Sequence, residues 1–144
     1  MGKLIKGAKA GGYPGLLLGI LSFPLNYYLL AVKYRQEISD ALGKPYYPSI
    51  KGLMMISVNT VVIFTFCGVL YVLFYKKLPF RNSFWKSFIF GLIIFIISRI
   101  GDLIVDYPIS PSLTLENAIW SAPLCLLIWP YFTSKLYPKE GEDV

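Results

Sequence analysis

Three charged side chains follow one of the most apolar segments of the chain at helical spacing. Residues 88–96 read FIFGLIIFI, and Arg99, Asp102 and Asp106 come soon after them. Residues three and four apart lie on one face of a helix, so a carboxylate at Asp102 can neutralise the guanidinium of Arg99. The same guanidinium can instead attract an anion or a carboxylate group from outside the helix. The pattern therefore indicates either an internal ion pair or a binding site.

Other strongly polar side chains interrupt the apolar segments elsewhere. Together with Arg99 and Asp102, the set consists of Glu116, Asn26, Asn59 and Asn117. Glu116 is an alternative partner for Arg99 from a neighbouring helix. Amide side chains in a membrane can form interhelical hydrogen bonds worth about 0.6 kcal/mol each. This set is the candidate polar cluster.

The rest of the composition argues against catalysis. The chain contains no histidine, and its two cysteines, Cys67 and Cys125, lie far apart in apolar runs. The usual ligand sets for zinc, copper and haem are therefore missing. The carboxylates of Asp102, Asp106 and Glu116 could in principle bind a divalent cation, but spacing alone is weak support for that interpretation. We predict no enzymatic activity, no metal and no cofactor.

The elements that position these residues are predicted to be transmembrane helices. The hydrophobic fraction is 56% and the charged fraction is 15%, a balance that a soluble domain of 144 residues could not bury. A transmembrane helix takes about 20 apolar residues, and the chain offers four such runs, at 13–32, 53–75, 84–105 and 113–132. We predict an all-α integral membrane protein, a bundle of four transmembrane helices forming a single domain over 1–144. Residues 140–144, EGEDV, are expected to be a flexible acidic tail.

The distribution of basic residues predicts the orientation of the bundle. If the segments alternate sides, nine basic residues fall on one side: Lys3, Lys6, Lys9, Lys76, Lys77, Arg81, Lys86, Lys135 and Lys139. Four fall on the other: Lys33, Arg35, Lys44 and Lys51. Basic loops stay in the cytoplasm, so we predict a cell-membrane protein with an uncleaved first helix and both termini cytoplasmic. Because the basic residues are scattered at helix ends, lipid headgroups and not nucleic acid are their expected partners.

The predicted helices carry their polar side chains at a common depth. Counted from the outer helix ends, Asn26, Asn59 and Arg99 each lie seven residues in. Asp102, Glu116 and Asn117 lie four or five residues in. At 1.5 Å of rise per residue these depths are about 6–10 Å. We therefore predict that the polar cluster occupies one layer in the outward half of the bundle.

Small residues indicate the faces on which the helices pack. In the first helix, glycines recur every fourth residue, at Gly7, Gly11, Gly15 and Gly19. Small residues at this spacing allow two helices to approach closely, which predicts a glycine zipper. Packing within the bundle is favoured over an oligomer or pore seam. Gly91 and Gly101 belong to a comparable stripe on the third helix, and we expect the two stripes to meet.

Capping residues predict the helix ends. Asn82 or Ser83 can cap the third helix, and Ser112 or Thr114 can cap the fourth. In the loop after the first predicted helix, apolar residues recur at every fourth position, and Gly43 follows them. This pattern predicts a short helix with a glycine C-cap.

Two functional classes fit the predicted polar cluster. In the first, slightly preferred, the ions pair internally and fix the helix register, and the protein is an accessory or assembly subunit of a membrane complex. In the second, the cluster is an outward-facing site for an ion or small polar solute, and the protein is a transporter or channel. The expected partners are the lipid bilayer and either another membrane subunit or further copies of the chain.

Overall fold

The computed structural model describes residues 1–138, and every regular element in this range is helical. The elements are α1 (Gly2–Tyr27), continued by a π-helical stretch (Tyr28–Lys33); α2 (Arg35–Leu42); α3 (Ile50–Phe74), continued by a 3-10 turn (Tyr75–Lys77); α4 (Ser83–Val105); and α5 (Pro111–Pro123), joined to α6 (Trp129–Leu136) by a π-helical stretch (Leu124–Ile128). The predicted acidic tail at 140–144 lies outside the described residues.

Three helices are long and apolar enough to cross a membrane. They are Gly2–Lys33, Ile50–Lys77 and Ser83–Val105, and they contain the first three predicted spans. By length and composition they indicate a membrane-embedded protein. The fourth predicted span, 113–132, is helical from α5 into α6 but is not among these three helices. Its polar residues, Glu116 and Asn117 among them, make this segment less apolar than the others.

Neighbouring helical segments run antiparallel. The start of α1 meets the end of α6, where the Thr133 hydroxyl donates to the Ala10 carbonyl at 3.1 Å. The start of α4 also lies beside α6, again as an antiparallel neighbour, and there the Ser87 hydroxyl donates to the Pro130 carbonyl at 2.8 Å. Helix α1 also packs along α3, and α3 contacts α4, so the contacts link α1, α3, α4 and α6 in that order. We call the end that holds Thr133 the basic end and the opposite end the Arg99 end.

The glycine stripe of α1 lies against α3. A Cβ added at Gly7 would come within 2.6 Å of Val69 Cα, and one added at Gly11 would lie 2.6 Å from Gly68 Cα. At these positions the two backbones touch, so only glycine fits without displacing a helix. Packing of this stripe is therefore internal to the chain.

The expectation that the stripes of the first and third predicted helices meet is wrong. A Cβ at Gly91 would overlap the carbonyl oxygen of Cys125, in the segment between α5 and α6, and Gly101 has nothing within 4 Å. The partner of the α1 stripe is α3, because Gly68 supplies the matching gap there. Sequence reasoning overlooked it, since Gly68 stands alone among large apolar residues.

An aromatic core closes the basic end. Tyr71 and Trp129 are fully buried, and the Tyr71 ring contacts Phe90, Tyr75 and Tyr137 edge to face at centroid distances between 5.4 and 6.2 Å. Such edge-to-face pairs add about 0.5–1.5 kcal/mol each beyond area burial. These rings join α3, α4 and α6 into one packed layer.

The helix ends agree with two of the three capping predictions. Gly43 ends α2 in the left-handed region at φ +66°, and the Asn82 side chain accepts a hydrogen bond from Phe84 N at the start of α4. The prediction of Ser112 or Thr114 as the fourth cap is wrong. Ser110 is the cap, and its hydroxyl accepts from Leu113 N at 3.3 Å. Pro111 explains the shift, because proline favours the first helical position.

Candidate functional site

A cavity of about 190 Å³ lies between the helices at the Arg99 end. Its polar lining consists of Ser22, Asn26, Thr60, Ser98, Arg99, Asn117 and Ser121, from α1, α3, α4 and α5. The structure therefore brings three residues of the predicted cluster, Asn26, Arg99 and Asn117, to the lining of one cavity.

Arg99 belongs to the lining of this cavity and is one member of an ion pair. Its Nη1 lies 2.7 Å from Asp102 Oδ2, one helical turn along α4, and both side chains are 19% exposed. Nε and Nη2 both donate to the Ser98 hydroxyl at 3.3 Å. Arg99 lines the cavity whereas Asp102 does not. The cavity lining therefore includes the cationic residue of this ion pair and not the acidic one.

The hydroxyl groups of the lining are engaged with their own helices. Ser22, Thr60, Ser98 and Ser121 each donate to a carbonyl three or four residues earlier, at distances between 2.7 and 3.0 Å. Asn26 uses one amide hydrogen on the Ser22 carbonyl at 2.8 Å. Serine and threonine satisfied in this way offer lone pairs to the cavity. The donors that remain for a guest are the guanidinium of Arg99 and the amides of Asn26 and Asn117.

Glu116 does not reach Arg99, contrary to the suggestion that it is an alternative partner. Its Oε2 accepts from Lys33 Nζ at 2.5 Å and from the Tyr34 hydroxyl, and Trp120 Nε1 lies 3.5 Å from Oε1. The hydrogen bond to the Glu116 carboxylate raises the pKa of Tyr34. The cause is geometric. The π-helical continuation of α1 carries Lys33 and Tyr34 to the start of α5, where they take this carboxylate.

Asn59 lies outside the cavity, contrary to its place in the predicted cluster. Its neighbour Thr60 and the residues Ile56 and Ile63 line the cavity, so Asn59 is rotated off that face and is exposed. Its depth along the helix is similar to that of the cavity, but depth does not fix the direction of a side chain. Depth and direction are separate properties of a helical residue.

Four cavity hydroxyls were missed as site residues at the level of sequence. Ser22 precedes Asn26 by four residues and Ser121 follows Asn117 by four, and both pairs line the cavity. Residues at this spacing share a helix face. The signal was therefore present in the sequence as polar pairs at four-residue spacing. Ser98, adjacent to Arg99, and Thr60 carried no such signal.

The carboxylates of Asp102, Asp106 and Glu116 do not come together as a cation site. Within residues 1–138, no three His, Cys, Asp or Glu side chains are placed to hold a metal ion together. Asp102 is paired with Arg99, and Glu116 faces Lys33. Asp106 caps the end of α4, where burial and the nearby negative charge of Asp102 raise its pKa and the charge of Arg99 lowers it.

The cavity ends on a packed layer toward the basic end. Leu18 and Phe64 form part of its wall, and both are buried. The Phe64 ring packs on Trp129 at a centroid distance of 5.7 Å, and Trp129 is wholly buried. A solute moving from the cavity toward the basic end would therefore meet these packed rings.

Comparison with protein-family models, with curated proteins and with solved structures found no match.

Proposed function

We propose that the protein is a four-span integral membrane protein, with both termini in the cytoplasm, that binds a small monoanion in the cavity at the Arg99 end. Support for the fourth span comes from packing. The helical segment 111–136 runs beside α1 and α4, with Thr133 at the basic end and Glu116 at the Arg99 end. At 1.5 Å per residue it is about 39 Å long, enough for a hydrocarbon core of about 30 Å.

The observation that carries the anion assignment is that one member of an ion pair, the cation, lines the cavity while its carboxylate partner does not. Arg99 is the charged residue in the cavity lining; Asp102 and Glu116 are not part of that lining and are paired with Arg99 and Lys33. Guanidinium and primary amide donors suit an anion that needs several hydrogen bonds, such as a carboxylate. The low dielectric between the helices strengthens each of these interactions. A cation would meet the guanidinium and no free carboxylate.

The closed aromatic layer favours a transporter over an open channel. The contacts of Trp129 with Phe64 and Tyr71 lie between the cavity and the basic end, so passage of a solute through the bundle would require these rings to rearrange. Alternating exposure of a binding site requires a movable barrier of this kind. The nine-to-four distribution of basic residues supports an orientation with the cavity in the outward half of the membrane.

Anion binding is tested by thermal unfolding of the purified protein in detergent. Sodium chloride, formate and acetate are titrated separately at constant ionic strength, because a ligand that binds the folded state raises its melting temperature. We expect saturable stabilisation of the wild type by at least one anion and none for Arg99→Gln. Lys51→Gln, which removes an exposed cation outside the cavity, should respond like the wild type. An equal response of wild type and Arg99→Gln, or no response in the wild type, would refute the proposal.

An accessory or assembly subunit is the second candidate function. It is favoured by the internal pairing of Arg99 with Asp102 and of Glu116 with Lys33, because ions paired within the chain can serve mainly to fix helix register. The discriminating measurement is purification in mild detergent. A stoichiometric partner, together with no anion response, would support this candidate over anion binding.

A further inference from the structure

One polar side chain of α3 is unsatisfied on the outside of the bundle. Asn59 is exposed, and within residues 1–138 its amide has no hydrogen-bond partner. The residues that surround it on this face are apolar and exposed: Met55 is 55% exposed, Val62 59% and Phe66 61%. The face opposite carries Gly68 and Phe64 and is covered by α1. Asn59 is therefore a single amide in an apolar surface of a helix long enough to cross a membrane.

The position of Asn59 along α3 places it at membrane depth. The helix Ile50–Lys77 is about 40 Å long at 1.5 Å per residue, which exceeds a hydrocarbon core of about 30 Å. With that excess divided between the two ends, Asn59 lies about 8 Å inside the core. Its side chain is too short to reach the headgroups. Lipid tails offer no hydrogen-bond partner, so an amide in this position is unsatisfied unless another protein covers it.

We infer that this face, defined by Met55, Asn59, Val62 and Phe66, packs against the same face of a second copy of the chain. A primary amide is both donor and acceptor, so two such amides can satisfy each other. Two copies inserted with one orientation have parallel α3 helices, and a twofold axis along the membrane normal then brings Asn59 opposite Asn59 at equal depth. A closed twofold contact uses the same patch on both copies. The two amides satisfy each other without any further polar group, which is consistent with the apolar residues that surround Asn59.

The chemistry of the face argues for a second copy over a different subunit. The face carries no charge, so it has no ionic group with which to select a partner of opposite sign. Its one polar group is self-complementary and is flanked by bulky apolar side chains that can interdigitate around it. The face is also separate from the cavity lining of Asn26, Arg99 and Asn117, so dimerisation leaves the proposed anion site intact.

The dimer is tested by energy transfer between donor-labelled and acceptor-labelled copies in liposomes, measured over a range of protein-to-lipid ratios. We expect Asn59→Leu to lower the association constant by about 3- to 15-fold, the range that interhelical hydrogen bonds in membranes support. Asn59→Gln, which keeps the amide, should retain most of the association. Asn26→Leu is the matched control, because it makes the same change inside the cavity, and it should leave the association constant unaltered.

Disulfide trapping gives a second measurement in a background with Cys67 and Cys125 replaced by alanine. Met55→Cys and Val62→Cys should form crosslinked dimers on mild oxidation. Ile104→Cys, which is 71% exposed on α4, should not. A monomeric wild type in liposomes, equal losses from Asn59→Leu and Asn26→Leu, or equal trapping at Ile104 would overturn the inference. So would stoichiometric retention of a different membrane subunit on this face in place of a second copy.

Discussion

Removing Arg99 should destabilise the protein mainly through the carboxylate that it leaves behind. Arg99 Nη1 and Asp102 Oδ2 are 2.7 Å apart, and both side chains are 19% exposed. Breaking a fully buried pair costs about 3–5 kcal/mol. Since about a fifth of each side chain is exposed, we expect Arg99→Leu to cost about 2–3 kcal/mol in unfolding free energy, after allowing for screening.

The double variant Arg99→Leu, Asp102→Leu should recover most of that loss. Once both ions are absent, an apolar pair suits the interior of the bundle, and a coupling energy of about 1–3 kcal/mol follows. The assay is thermal unfolding in one detergent for the wild type, both single variants and the double variant. The double variant should be folded but should no longer respond to the anion titration, because the cation that lines the cavity is gone.

The comparison variant in this cycle is Glu116→Gln. Glu116 contacts Lys33 and Tyr34 and not Arg99, so Arg99→Leu combined with Glu116→Gln should show additive losses without recovery. Additivity in the Arg99–Asp102 cycle would refute the ion-pair reasoning. Recovery with Glu116→Gln would instead show that Arg99 and Glu116 are in contact.

Three further predictions concern packing, topology and pH. Gly11→Leu should sharply lower the thermal stability of the protein in detergent, because α1 and α3 touch there. Gly101→Leu should have only a mild effect, because the space around Gly101 is open. Equal effects of the two variants would contradict the close contact between α1 and α3. In a background lacking native cysteines, Gly43→Cys should react with impermeant thiol reagents applied to intact cells and Asn82→Cys should not; the reverse labelling pattern would invert the topology. The folded-state pKa of Asp106 is raised, so its stabilising contribution is present at low pH and is lost as pH rises from about 4 through that raised pKa. Asp106→Asn should therefore gain melting temperature relative to the wild type over that range, and a constant difference across pH would exclude this origin.

Local features of the chain were readable from its sequence. The long apolar runs predict the three helices that can cross a membrane, because a helix satisfies its own backbone hydrogen bonds and needs only apolar side chains outward. Gly43 and Asn82 predict helix ends, since capping depends on residues within one turn. The spacing of Arg99 and Asp102 predicts their ion pair for the same reason: both lie on one helix, one turn apart.

Contacts between helices were decided only by the tertiary structure. Depth along a helix can be counted from sequence, but rotation about the helix axis is set by packing, and that rotation separates Asn59 from the cavity that Thr60 lines. The choice of α3 as partner for the α1 glycines depends on the backbone gap at Gly68. Glu116 meets Lys33 and not Arg99 because the end of α1 extends to the start of α5. Each of these outcomes depends on how whole helices fit against one another, which no single stretch of sequence encodes.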